Sequence, residues 1–244
     1  MRFLSMLVFV CMASAGLADT QLEFDDGSRV LIRQGSVLFG DKDNGFLYPG
    51  SGGAMTAIDW QDESYMVIDR AFTAALSEQM DSAMAQMEAQ LAQLPAEQRA
   101  MMREMLKDRM PAMPESATQQ HSYRATGKTA EVAGFKCSLG QVLLNGKPEH
   151  EICTASAKEL GMPDADYVAL RAAFSAMADI AKEFRQARNM VFDIEAIEGV
   201  PVSSQQTAGG KEGNRLVSVS TAEIAAQRLT VPAHFVRKDP GPGK

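Results

Sequence analysis

The sequence predicts an α+β fold: an antiparallel sheet in meander order, a helical hairpin inserted into it, and a third helix further along. Three observations carry this. Short β-prone runs alternate with turn residues over 20–70. Apolar residues at helical spacing follow over 71–113. Further on, Cys137 and Cys153 sit in two neighbouring strand-like runs.

Ahead of these elements, residues 1–18 read as a secretory signal peptide. Arg2 is the early charge, 3–12 form an apolar run, and small residues follow. Cleavage fits after Ala15 or after Ala18, the second frame being preferred. The run is too short to span a bilayer. Bulky Val10 before Cys11 argues against lipid attachment there. Cleavage would leave 23 of the 24 basic residues against 31 acidic ones, a net charge of −8 instead of −7. Such an acidic chain, with its bases scattered, lacks the basic face that nucleic-acid binding needs. A hydrophobic share of 45% is that of a globular chain, not a disordered one. Residues 19–237 are expected to form one domain carrying the helical insertion 71–113. The tail 238–244, with Pro240 and Pro242, is expected to be disordered. Export implies an oxidising compartment without ATP, so the expected location is periplasmic.

The first strands read as 21–24 and 29–33 around Asp25-Asp26-Gly27-Ser28, then 36–39 and 45–48 around Asn44-Gly45. Residues 54–60 and 64–69 flank Gln61-Asp62-Glu63. Phe72, Leu76, Met80, Met84, Met87, Leu91 and Leu94 then form one face of a helix. Pro95 opens a second helix. Its stripe is Met101, Met102, Met105, Leu106 and Met110, and Pro111 and Pro114 end it. Strands are expected at 121–124, 131–144 and 149–156. Pro163-Asp164 opens the third helix, whose apolar face is Tyr167, Leu170, Phe174, Met177, Ala181 and Phe184. Strands return at 191–197, 200–206, 214–221 and 227–230.

Asn145-Gly146 separates the runs holding the two cysteines. A two-residue turn pairs residues whose numbers sum to 291, which puts the cysteines on opposite faces of the sheet. A three-residue loop gives a sum of 290, and the cysteine numbers also sum to 290. The expected arrangement is therefore the second register, with a Cys137–Cys153 disulfide directly across it. Closing that loop contributes roughly 3 kcal/mol in the chain-entropy picture.

Catalytic motifs are absent. Gly127-Lys128-Thr129 ends like a phosphate loop, but Ser122 stands where the leading glycine belongs. Asp41, Asp43 and Asn44-Gly45 lack the spacing and closing glutamate of a calcium loop. His121, His150 and His234 are far apart, and no serine lies in Gly-x-Ser-x-Gly. No enzyme activity, resident metal or cofactor is expected. Methionine is another matter. Cleavage would leave 13 of the 16, and eight of those lie between Met80 and Met113. Such a stripe suits a flexible apolar binding face, a packed core or, through Met101, Met105, Met110 and Met113, a soft Cu(I) site.

Thr126-Gly127-Lys128, then Val132-Ala133-Gly134-Phe135-Lys136-Cys137, then Glu151-Ile152-Cys153-Thr154-Ala155 resemble the core signature of a secreted bacterial family of unknown function. Glu198-Gly199-Val200-Pro201-Val202 is similar to that family's later strand, while Leu229-Thr230-Val231-Pro232 departs slightly from its closing segment. The resemblance implies the architecture of periplasmic lipoprotein carriers of the LolA type: a half-barrel sheet whose concave face is covered by helices, with an apolar ligand site at the mouth. The groove candidates are Phe72, Leu76, Met80, Met84, Met87, Met101, Met105, Leu106, Phe174 and Met177. The expected function is a non-catalytic periplasmic binder or carrier of a hydrophobic ligand, a lipid or lipidated protein. The alternatives are an envelope protein-interaction or stress module and Met-rich copper binding.

Overall fold

The computed structural model describes residues 19–50, 52–99, 101–102, 121–183, 197–207 and 213–239. The signal-peptide segment, the strand expected at 191–197 (apart from Ile197) and most of the second hairpin helix lie outside them, as do residues 240–244 of the tail.

Six strands open the chain: β1 Thr20–Phe24, β2 Arg29–Arg33, β3 Ser36–Gly40, β4 Asn44–Tyr48, β5 Met55–Asp59 and β6 Ser64–Ile68. Each pairs antiparallel with the next, the meander expected from the turn spacing. The turn before β4 falls earlier than expected. Asp41 caps it, accepting the backbone N–H groups of Asp43 and Asn44 at 2.7 and 2.8 Å. Asn44 and Gly45 therefore belong to the strand, because the aspartate closes the turn first.

The helix α1, Arg70–Ala92, follows β6, and Asp69 caps it by accepting Phe72 N–H at 2.8 Å. Helical backbone resumes after Pro95. Arg99 donates to the carbonyls of Ala92 and Leu94, fastening the two helices at their corner.

Three strands come next, β7 His121–Val132, β8 Phe135–Leu144 and β9 Lys147–Ala155. The single run expected over 131–144 is broken by a hairpin. Ala133 and Gly134 both take positive φ, 52° and 83°, the pair that a two-residue turn of matching twist requires. The helix α2 spans Asp164–Glu183 and carries Asp164 and Asp166 in its first turn, where acidic charge suits the helix dipole. The chain closes with β10 Val200–Gln206, β11 Leu216–Ser220, a 3-10 turn at Ala226–Leu229 and β12 Val236–Arg237. The strand expected at 227–230 is that turn: Leu229 is buried while its neighbours are exposed, and only one side chain need face inward.

The result is a mixed α+β fold with a large, curved antiparallel sheet. That sheet has eight strands in the order β11-β1-β2-β3-β4-β5-β6-β12, and a second, four-stranded sheet has the order β10-β9-β8-β7. A bridge between Ser203 and Arg215 joins them, helped by Ser204 N–H donating to Asn214 O at 2.9 Å. Among the described residues, only the β12–β6 pairing is parallel.

The disulfide is present, with its Cα atoms 5.5 Å apart. Its register is not the one expected. Asn145-Gly146 makes a two-residue turn, with φ 51° and 79°, so Leu144 pairs with Lys147. A bulge then slips the ladder by one residue, since Leu143 pairs with Pro148 but Val142 with His150. Glu149 is the extra residue. Beyond it, Cys153 stands opposite Leu139, two residues from Cys137 on the same face, and the bridge runs diagonally. The bulge restores the facing that the turn alone would lose.

Two of the core clusters lie on opposite faces of the eight-stranded sheet, and a smaller one gathers Val142, Ile152 and Ile197. On one face, Leu22, Ile32, Val37, Cys153 and Val202 pack with Leu170 and Ala173 of α2. On the other, Leu31, Leu47 and Ile58 are covered by Ile224 and Leu229 from the closing segment. Strand β2 serves both, since Leu31 and Ile32 point to opposite sides.

Candidate functional site

A cavity of about 340 Å³ opens where α2 crosses the sheet. Its walls come from alternation along three strands: Leu22 and Phe24 of β1, Val30 of β2 and Phe39 of β3 share the face that meets Leu170 and Phe174 of α2. Phe39 and Phe174 stack with ring centroids 5.3 Å apart. Ile152, Ile197 and Val200 complete the apolar lining, and Ser28, Arg29, Ser204 and Asn214 contribute polar groups. The Ile197 wall is fixed from α2, because Arg171 donates to Ile197 O at 2.8 Å and Tyr167 OH accepts Gly199 N–H at 3.3 Å.

Of the groove candidates, Phe174 lines this cavity and Met177 packs on the same core. Phe72, Leu76, Met84 and Met87 lie half-buried along α1 and are not among the lining residues. Met80 belongs to the same helix. Met101 stands exposed just beyond the hairpin corner. Met105, Leu106, Met110 and Met113 lie outside the described residues. The helical period identifies an apolar face but not the surface that it meets. Leu22, Phe39 and Arg29 carried a weaker signal, the period-two alternation of β1 to β3.

A second cleft, of about 320 Å³, lies by the other face. Leu31, Leu38 and Trp60 form its apolar side, and Arg29, Lys42 and Arg228 bring three cations to it. Asp41 also lines it, but backbone N–H groups of Asn44 and Asp43 hold that carboxyl below its usual range and engage it locally. Arg29 and Gly40 line both spaces and pair across β2 and β3, where these strands end.

A third polar group is structural in character. Thr20 donates to Asp166 at 2.6 Å, joining β1 to α2. Asp19 accepts from Ile224 N–H at 2.7 Å and from Arg33 at 3.2 Å, and Arg33 also donates to Ile224 O. Burial pushes the Asp166 carboxyl up, against the bond from Thr20, and the charge of Asp19 adds to the rise.

Among the described residues no cluster of histidine, cysteine and acidic side chains could hold a metal ion. Among them, no helix is long and apolar enough to cross a membrane.

No family model matches the chain, and no curated protein does. Among solved structures, the chain is similar to one of PNGF-II in a C2 space group, at 8% identity and a TM-score of 0.29. The match covers 91% of this chain and 30% of that one, so the chain spans less than a third of its length. A likeness that slight transfers neither fold nor activity.

Proposed function

We propose that the protein is exported to the periplasm and there binds or carries a hydrophobic ligand, a lipid or a lipidated protein, without catalysing a reaction. The single observation that supports this most is the apolar cavity between α2 and the sheet, walled by Leu22, Phe39, Leu170 and Phe174. Its size falls at the lower end of the range for small-molecule sites, and its few polar groups are those such sites use to orient a ligand. The disulfide fits an oxidising compartment. Two antiparallel sheets linked by the Ser203–Arg215 bridge, with α2 packed on their shared core, are compatible with a half-barrel of the lipoprotein-carrier kind. Organic-solvent extraction of the purified native protein should release acyl lipids, and a fluorescent fatty acid should bind with saturation. An empty extract together with no uptake would overturn the proposal.

The second reading is an envelope interaction module that docks through the helical hairpin. Met101 and Met102, 68% and 42% exposed, favour it. A crosslinker placed beside Met101 in cells should then capture one defined partner, and diffuse labelling would count against it.

A further inference from the structure

The geometry points to a more specific ligand: a single-chain amphiphile with an anionic head, whose chain enters the apolar cavity and whose head sits in the basic cleft. This rests on the carrier reading and narrows it.

Four observations combine. The cavity is apolar and, at about 340 Å³, suits one slender chain better than the several chains of a lipid anchor. The neighbouring cleft gathers Arg29, Lys42 and Arg228 in a chain whose net charge is −7, so the cations are concentrated against the overall balance. The two spaces share Arg29 and Gly40 in their linings, at the ends of β2 and β3. The ligand is placed round these strand ends, with the Arg29 side chain at the bend. Finally, Arg29 is exposed, and its guanidinium has no hydrogen-bond or ion-pair partner among the described residues. Of the other two cations, Arg228 donates to Gln21 at 3.1 Å, and Lys42 lies 3.9 Å from Asp43. The guanidinium at the junction is therefore the group most available to a carboxylate or phosphate, which it can meet with paired N–H donors.

The test compares dodecanoate, dodecyl phosphate and uncharged methyl dodecanoate as competitors for a fluorescent fatty acid on the full-length protein. The expected result is that at least one anion binds about tenfold more tightly than the ester. The two anions separate a carboxylate head from a phosphate head. In the double variant Arg29→Gln, Arg228→Gln the anion-to-ester ratio should fall to about one. Lys128→Gln, which removes an exposed cation on β7, should leave the ratio unchanged and so controls for net charge. Melting curves establish that each variant is folded; if the double variant proves unstable, Arg29→Gln alone should lower the ratio severalfold, and an unchanged ratio overturns the inference. Equal affinity for anion and ester in the native protein, or a preference that survives the double variant, overturns the inference and leaves the carrier reading standing. Failure of every probe to bind overturns both.

Discussion

At the scale of single residues, two positions have consequences that their chemistry makes measurable. Gly40 ends β3 beside Asn44, and a Cβ added there would collide with the Asn44 carbonyl oxygen and crowd Gly45. Because the obstacle is backbone, it cannot swing aside. Gly40→Ala should cost about 1–3 kcal/mol in urea unfolding, the range for forcing atoms into filled space. An unchanged midpoint would show that β3 and β4 do not meet this closely. Asp166 is 5% exposed and bonded to Thr20. Burial raises its folded-state pKa above the unfolded value, so the folded protein holds this proton more tightly. The stabilisation is then fully present below the ordinary carboxylate pKa and is lost as pH rises through the raised one. Asp166→Asn keeps an acceptor for Thr20 and removes the titration. Relative to the native protein it should gain stability at about pH 7 compared with about pH 3. A gain of the opposite sign, read from urea midpoints, would mean that the charged form is the one the fold favours.

At the scale of elements, the β8–β9 hairpin shows what a local pattern holds and what it omits. Asn145-Gly146 marks the turn, and the apolar runs on either side mark the strands. Glu149, the bulge residue, looks like any other strand residue, so a three-residue loop was expected to bring the cysteines to one face where the chain uses a two-residue turn and a bulge. The disulfide partner was nevertheless legible, because only these two cysteines lie in adjacent strands. The same limit hid the β7–β8 turn, since Ala133 is not a residue that favours positive φ and only its glycine neighbour hinted at it. For α1, the stripe of Phe72, Leu76, Met84 and Met87 was legible as a helix face, but its partner surface depends on tertiary placement. Replacing Cys137 and Cys153 together by serine should lower stability by about 3 kcal/mol, the value for a loop of this size. Calorimetry of the two forms would measure it. A loss near zero would show that the bulged ladder holds its register without the bridge.

At the scale of the whole molecule, the eight-stranded sheet separates two of the core clusters. The helical period marked Phe174 as part of an apolar helix face, and the cavity that it lines depends on where α2 lies on the sheet. Arg29, Phe39 and Gly40 meet it only through the β2–β3 register, a non-local fact that no motif announces. The same strand explains why the cores should not melt apart. Ile32 is fully buried beneath α2 on one face, and its neighbour Leu31 is buried against Ile224 and Leu229 on the other. Losing the strand strips both. Trp60, the chain's one tryptophan, packs edge-on to Phe235 at 5.6 Å in the second core and reports on that side alone. Helical circular dichroism reports chiefly on α1 and α2. Urea unfolding followed by the two signals should give coincident transitions. Ile32→Ala leaves a cavity in the α2 core and should lower stability by about 2–5 kcal/mol. It should move the Trp60 transition as far as the helical one, although Ile32 faces away from Trp60. A tryptophan transition that stays in place while the helical one shifts would mean that the two cores unfold independently. In that case the cavity under α2 could open without disturbing the basic cleft on the other face.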